Sequence, residues 1–298
     1  MAVTGTGTEQ DPYIVHSYDE IKYIFTNASY TGYTGYIAYI NLANDIDCNS
    51  YGSTFEWETV NTPSNDRSVV FDLCGHTIKN FKIRSGNAMF KFGGYSKSIV
   101  KNGKILNVYA GGSQGLVIYE GGLYNVSELN NVSVSMTIQT GLSHGAVAIY
   151  MAIDRCSIYI EGSESNDNNS LFYVRSTSEM SGKFVDSDIL LNVVLGQARV
   201  DQGNQNIERC RFRGSCSGGA KYNGIFGGRL MNCVLDIYLD ISTSYRVTYN
   251  QDSTGVINED KIPSDCRVCG MTKVTSQEII NGDALRAKGF EVVNVVGD

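Results

Sequence analysis

The sequence predicts an all-β chain wound as a single-stranded parallel β-helix, a solenoid with a short helical cap at each end. The first observation behind this is a six-residue phrase that recurs seven times: an apolar residue, two mostly polar or charged residues, a mostly small residue, one more residue and a second apolar one. The copies are Ile78–Ile83, Val100–Ile105, Leu129–Val134, Ile153–Ile158, Phe184–Ile189, Ile207–Phe212 and Leu230–Leu235. Their starts lie 22, 29, 24, 31, 23 and 23 residues apart, which is the length of one solenoid coil and too short for a domain. The second observation is the period of the apolar residues. Leu235, Ile237, Leu239 and Ile241 fall on one side of an extended chain and Asp236, Tyr238 and Asp240 on the other, as in a strand with one buried and one wet face.

Taken in order, residues 1–50 form an N-terminal capping segment, 51–245 the parallel β-helix and 246–298 a C-terminal capping and attachment segment. Ser17-Tyr-Asp-Glu20 precedes Ile21, Ile24 and Phe25, and Thr275-Ser-Gln-Glu278 precedes Ile279, Ile280 and Leu285. Each is a capping-box spacing at a helix start, and helices there cover the strand edges that a solenoid otherwise exposes. Between phrases lie second apolar clusters, at Met89-Phe90, Leu116–Ile118, Ala146–Ile149, Leu171–Val174 and Ile225-Phe226, so each coil holds at least two strands. The polar stretch Glu161–Ser170 reads as a loop insertion on one side.

Equivalent positions of the phrase stack on successive coils. Cys156, Cys210 and Cys233 share one such position and read as a ladder of buried, reduced thiols rather than disulfides. Asn80, Asn102, Asn131 and Asn232 share another, with Arg155 and Arg209. It reads as a turn, because Asn tolerates left-handed backbone, and stacked Asn side chains can form a ladder of amide hydrogen bonds. Cys266 and Cys269 form the one Cys-x-x-Cys pair, and nothing in the sequence completes a four-ligand zinc site around it. No metal and no cofactor is expected.

The net charge of −7 and pI near 5.1 argue against a nucleic-acid partner, and no basic cluster stands out to hold phosphates. No apolar run approaches membrane-helix length, so membrane insertion is not expected. The first residues lack the basic and apolar regions of a signal peptide, which points to folding in a cytoplasm. For chemistry, Asp186 and Asp188 are the candidate catalytic residues: two apart on one strand face, their carboxyls would lie ~7 Å apart, a separation that glycoside hydrolysis uses. An acidic outer face on an acidic protein is ordinarily a solvated surface, and His16, His76 and His144 have no Ser, Cys or Asp motif that would make a triad.

The segment Gly5–Ile24, continuing through Ile40–Asp47, Trp57 and Val70–Ile83, resembles the opening of right-handed parallel β-helix proteins of the pectin-lyase-like type, found among bacteriophage virion proteins and bacterial surface adhesins. Asp72, Gly75, His76 and Ile78 match that pattern, while Leu73 stands where the family has Gly. The resemblance implies a right-handed helix and structural roles for Asp72 and His76. It also implies a bacteriophage virion component, a head- or tail-attached spike or fibre protein assembled in the host cytoplasm. Its expected partners are two further copies in a homotrimer, other virion proteins, and host-surface polysaccharide met by a surface rich in Tyr, Asn and Ser. The alternatives are a polysaccharide depolymerase acting through Asp186 and Asp188, and a secreted adhesin at the bacterial cell surface.

Overall fold

A computed structural model of the chain describes residues 3–27, 37–61, 68–84, 88–93, 98–111, 115–120, 127–139, 145–149, 151–164, 170–173, 183–195, 199–201, 206–218, 225–241, 246–248 and 250–280. The named strands pair in parallel and form one sheet of eighteen strands and another of six. Residues one coil apart in sequence are neighbours in space, which makes the molecule a parallel β-solenoid. One vertical column of paired residues runs Tyr13, Ile40, Phe71, Val100, Leu129, Ile153, Phe184, Ile207 and Leu230. A second, one corner further along each coil, runs Ile46, Ile78, Ile105, Val134, Ile158, Ile189, Phe212, Leu235 and Ile257.

These columns lie on two faces, here called A and B, and a third face C is the six-stranded sheet. Face C consists of Val60–Asn61, Ala88–Gly93, Gly115–Glu120, Gly145–Ile149, Ser170–Tyr173 and Arg199–Asp201. Most of its strands are built on the second apolar clusters. A coil therefore presents three faces where the sequence required at least two strands, although on two coils faces A and B are one twelve-residue strand, Ile99–Ala110 and Ser127–Ile138.

The corner between faces A and B explains the recurrent Asn. Asn102, Asn131, Arg155, Asp186, Arg209 and Asn232 all adopt left-handed backbone with φ between 51° and 57°. A side chain there ordinarily costs roughly 1–2 kcal/mol, and Asn and Asp are the residues that tolerate it best. The amide ladder forms as well. Asn131 Nδ2 donates to Asn102 Oδ1 at 3.0 Å, and Asn102 Nδ2 donates to Asp72 Oδ2 at 3.0 Å.

The first copy of the phrase is out of step with the other six. Ile78 pairs with Ile105, so Ile78–Ile83 lies within a single face-B strand, Thr77–Ile83, and Asn80 (φ 63°) kinks that strand beside Asn107 (φ 54°). The corner of that coil is instead Asp72-Leu73-Cys74-Gly75, with Cys74 at φ 51° and Gly75 at φ 83°. Asp72 Oδ1 accepts the Cys74 amide at 2.8 Å, the turn role expected of it. Leu73, which stands where the resembled pattern has Gly, is fully buried and fills the space beside Gly103 on the next coil. A Cβ on Gly103 would sit 2.3 Å from Leu73 Cβ and 2.6 Å from the His76 carbonyl oxygen.

Inside the column the faces meet through aromatic rings. Phe172 from face C and Phe226, whose neighbour Ile225 accepts the Val200 amide of the last face-C strand, flank Phe184 of face A and Phe212 of face B, with centroids 5.0 Å (Phe172–Phe184), 6.1 Å (Phe184–Phe212) and 4.9 Å (Phe212–Phe226) apart. The cysteine ladder lies beside them. The Sγ of Cys156, Cys210 and Cys233 donates to Leu129 O, Phe184 O and Ile207 O, each one coil back, at 3.4, 3.6 and 3.2 Å. Ser187 takes the same position on the coil between Cys156 and Cys210, and its Oγ accepts the Cys156 amide at 3.0 Å. All three cysteines are buried free thiols, and burial pushes the Cys156 thiol up to about 12.

Helix α1, Tyr18–Thr26, buries Tyr18, Ile21, Ile24 and Phe25 in the first coils, with Phe25 meeting Phe71 and Phe90 at centroid distances of 5.9 and 5.8 Å. Ser17 Oγ accepts the Glu20 amide, and Glu20 reaches back one residue further than the standard box, to the His16 amide at 2.7 Å. Helix α2, Ser276–Ile280, has the reciprocal box: Thr275 Oγ1 accepts the Glu278 amide and Glu278 Oε2 accepts the Thr275 amide. Its Ile279 packs with Val234, Val256 and Val274, residues on the outside of the last face-B strands. Leu285, expected to continue this helix, lies outside the described residues, as do Val174, His144 and residues 165–169 of the polar stretch, whose start, Glu161–Glu164, continues strand Ser157–Glu164 instead of looping out. Among the described residues no helix is long and apolar enough to cross a membrane.

The charges are less evenly spread than the sequence reading held. Residues 45–58 carry four acidic groups (Asp45, Asp47, Glu56, Glu58) and no basic one, whereas residues 67–110 carry eight Lys or Arg and one acid, Asp72. Stacking matches them coil against coil. Lys79 pairs with Asp47 (3.4 Å), Lys82 with Glu56 (3.2 Å), Arg84 with Glu58 (2.9 Å) and Lys101 with Asp72 (3.3 Å). A basic cluster is therefore present, but much of it is spent on neighbouring carboxylates.

Candidate functional site

Along face B, residues facing outward form continuous columns because the side-chain period is two and the coils stack in register. One column runs Glu56, Lys82, Tyr109, Thr137, Glu161, Asn192, Ser215 and Tyr238. It begins in a cleft of about 540 Å³ formed by the first coils. One wall is the segment after the 3-10 turn Cys48–Tyr51, with Ser53, Thr54 and Phe55. The floor and opposite wall are Asn80, Phe81 and Lys82 of strand Thr77–Ile83 with Asn107 and Tyr109 of strand Ile99–Ala110.

The kinks at Asn80 and Asn107 turn both amides into a chain of hydrogen bonds at this cleft. Asp47 Oδ1 accepts the Asn49 amide (3.1 Å) and Asn80 Nδ2 (2.9 Å), and Asn80 Oδ1 accepts Asn107 Nδ2 (2.9 Å). The Asn80 bond, followed by that from Asn49, holds the Asp47 carboxyl below the usual carboxylate range. Lys82 Nζ, paired with Glu56, stands 5.9 Å from the Tyr109 ring centroid. Phe81 is buried beneath, 5.0 Å from the fully buried Trp57, whose indole N–H donates to Met89 O at 3.1 Å. Further along, Glu161 Oε2 accepts Tyr159 Oη (2.6 Å) and Oε1 accepts Thr137 Oγ1 (3.0 Å). Those bonds lower its pKa.

The structure places the two candidate carboxylates on different local elements. Asp186 occupies the A–B corner with φ 51°, and Asp188 opens the following strand, Asp188–Leu195, so the two do not share one strand face as their spacing suggested. Each is gripped by an arginine from the next coil. Arg209 contacts Asp186 through Nε and Nη2 at 2.6 and 2.7 Å, and Arg213 contacts Asp188 through the same atoms at 3.1 and 2.7 Å. Hydrogen bonding to Arg209 holds the Asp186 carboxyl below its ordinary range, the opposite of what a proton donor in glycoside hydrolysis needs.

The two described histidines lie beside carboxylates: His76 Nδ1 is 3.3 Å from Asp45 Oδ1, and His16 Nδ1 3.3 Å from Glu20 Oε2. Cys266 is buried and Cys269 partly so, and among the described residues no three His, Cys, Asp or Glu side chains gather as a metal site. The cleft escaped the sequence reading because its lining comes from separate coils and from kinks that the repeat pattern does not distinguish from corners.

Comparison with protein-family models and with the sequences of curated proteins finds no match. Among solved structures, the chain is similar to a "putative immunoglobulin A1 protease" from Bacteroides ovatus, with 14% identity, a TM-score of 0.42, and 93% of this chain and 88% of that one covered.

Proposed function

We propose that this chain is a structural component of a bacteriophage virion, a head- or tail-attached spike or fibre protein, and that it acts by binding rather than by chemistry. The observation that carries the binding half of this reading is on face B. The two carboxylates whose sequence spacing suggested hydrolysis are each closed by a two-point guanidinium contact, while face B offers an open cleft and a stripe of hydroxyl, amide and tyrosine side chains. Binding without turnover needs surface chemistry of that kind and no proton donor. The virion half is supported by the opening segment and its resemblance, and by a column cross-linked through side-chain ladders, which suits a stiff projecting part. A homotrimer of side-by-side columns belongs to the same proposal.

Immunogold labelling of intact particles with antibody to the purified chain tests it, and labelling at the head or tail is expected. Particles that stay unlabelled, while the surface of producing bacteria labels, would replace the virion reading with the adhesin one. Release of reducing ends from host polysaccharide that disappears in Asp186→Asn would replace it with a depolymerase. Light scattering after size exclusion is expected to give three times the 32.6 kDa chain mass.

A further inference from the structure

We infer that the face-B cleft is a binding site for an uncharged oligosaccharide, seated at Tyr109 and extending along the column toward Tyr238. The inference rests on the binding role proposed above and adds the place and the ligand class. The cleft's volume of about 540 Å³ falls within the range of small-molecule sites.

Its chemistry is that of a sugar partner. Asn49, Ser53, Thr54 and Asn107 are exposed and supply both donors and acceptors at the rim. Asn107 spends its Nδ2 on Asn80, and among the described residues no donor reaches its Oδ1, which is left to accept from a ligand hydroxyl. Phe55 and Tyr109, both half-buried, supply ring surface for the apolar side of a pyranose, with a phenol able to hydrogen-bond.

Charge selects among glycans. The two charged groups in the cleft, Glu56 and Lys82, are paired with each other at 3.2 Å, and Lys82 also stands over Tyr109. A uronate or a phosphate would have to draw Lys82 away from Glu56 and would then face that carboxylate. An amine would meet the mirror problem. A neutral ligand leaves the pair closed. The Asp47–Asn80–Asn107 chain fixes the amides before the ligand arrives, so little side-chain entropy is lost on binding.

Beyond the cleft the outward column repeats at the strand spacing of ~4.8 Å. It presents Thr137, Asn192 and Ser215 before ending at Tyr238, which is 56% exposed. Glu161, the one acid on this path, is already satisfied by Tyr159 and Thr137. An extended chain laid along the solenoid axis thus meets a polar group at each coil and an aromatic ring at both ends.

The test is an array of neutral gluco-, manno- and N-acetylglucosamine oligomers beside oligogalacturonate and oligosialate, followed by calorimetric titration of the best binder into the whole chain. A neutral oligomer is expected to bind, with affinity falling at least tenfold in Tyr109→Ala and in Asn107→Gly, which keeps the left-handed backbone, and unchanged in Asp186→Asn. Circular dichroism confirms that each variant is folded. Selection of the acidic oligomers, retention of none, or a neutral ligand indifferent to both cleft substitutions would overturn the inference. Neutral binding through the cleft with no labelling of particles would remove the virion reading alone. Labelled particles with no neutral binding would remove the inference alone.

Discussion

Replacing Asn102 separates two roles that one side chain plays at a corner. Its amide makes two hydrogen bonds, to Asp72 Oδ2 and from Asn131 Nδ2, both at 3.0 Å, and its backbone sits at φ 57°. Each bond contributes about 0.5–1.5 kcal/mol net, toward the low end at a half-buried corner, so losing both costs about 1–2 kcal/mol. Asn102→Gly loses the bonds and also gains freedom in the unfolded chain, a further ~0.5–1 kcal/mol. Asn102→Ala loses the same bonds but forces a Cβ into left-handed backbone, which costs roughly 1–2 kcal/mol. Alanine is therefore expected to be the less stable variant by about 0.5–1 kcal/mol, with a total loss of about 2–4 kcal/mol. In an ordinary strand the order is reversed, because glycine there is the weaker residue by a similar amount. Urea unfolding followed by circular dichroism reads the order directly. An alanine variant as stable as the glycine variant, or both within about 0.5 kcal/mol of wild type, would refute the account of the corner.

Gly103→Ala is expected to destabilise by about 1–3 kcal/mol, since its methyl would press on Leu73 Cβ and the His76 carbonyl, and thermal melting checks this. Because Arg209 depresses the Asp186 pKa in the fold, the stability from that pair is present above about pH 4, the unfolded value, and is lost as pH falls through the folded value. The stability gap between wild type and Asp186→Asn should accordingly shrink between pH 5 and strongly acid solution, and a gap that is flat or widens would remove the pairing. Of the eight cysteines, Cys74 is exposed and Cys269 partly so, while the other six are buried, with Cys48, Cys156 and Cys216 pushed up to about 12. A thiol reagent at pH 8 should therefore label no more than two quickly in the native chain and all eight in denaturant. Faster labelling of a third would show that a coil opens.

Six of the seven phrases lie at the predicted corner, and the turn position was readable because left-handed backbone selects Asn so strongly. Arg155 and Arg209 adopt the same conformation without the propensity, which only their place in the repeat reveals. The slipped copy at Ile78–Ile83 shows where pattern reading runs out. An apolar residue, a polar pair with Asn and a second apolar residue describe a corner between two strands and a kink within one equally well, and only the pairing with Ile105 decides. The fate of Asp186 was within reach of the sequence, because Arg209 follows it by 23 residues at the same position of the phrase, so stacking sets that guanidinium over the carboxylate. That of Asp188 was not, since the residue stacked on it is Arg211, while Arg213, stacked on Leu190, reaches it diagonally. The cleft was not within reach, because it depends on the path of the segment after Cys48–Tyr51.

Coil-against-coil charge matching also bears on how such a chain can change length. Solenoids grow in evolution by copying a coil and inserting it beside its parent. A second copy of the 76–84 coil would set Lys79, Lys82 and Arg84 against their own duplicates at the ~4.8 Å strand spacing, with the carboxylates of Asp47, Glu56 and Glu58 already engaged. Insertion would meet no such repulsion along a neutral column such as Ser133 beside Ser157, but a copy of the 206–217 coil would meet it again, with Arg209 and Arg213 set against duplicates and Asp186 and Asp188 already engaged. The charged coils, early and late, are thus individually addressed parts, each matched to one neighbour, and a coil copied without its partner would lose that match.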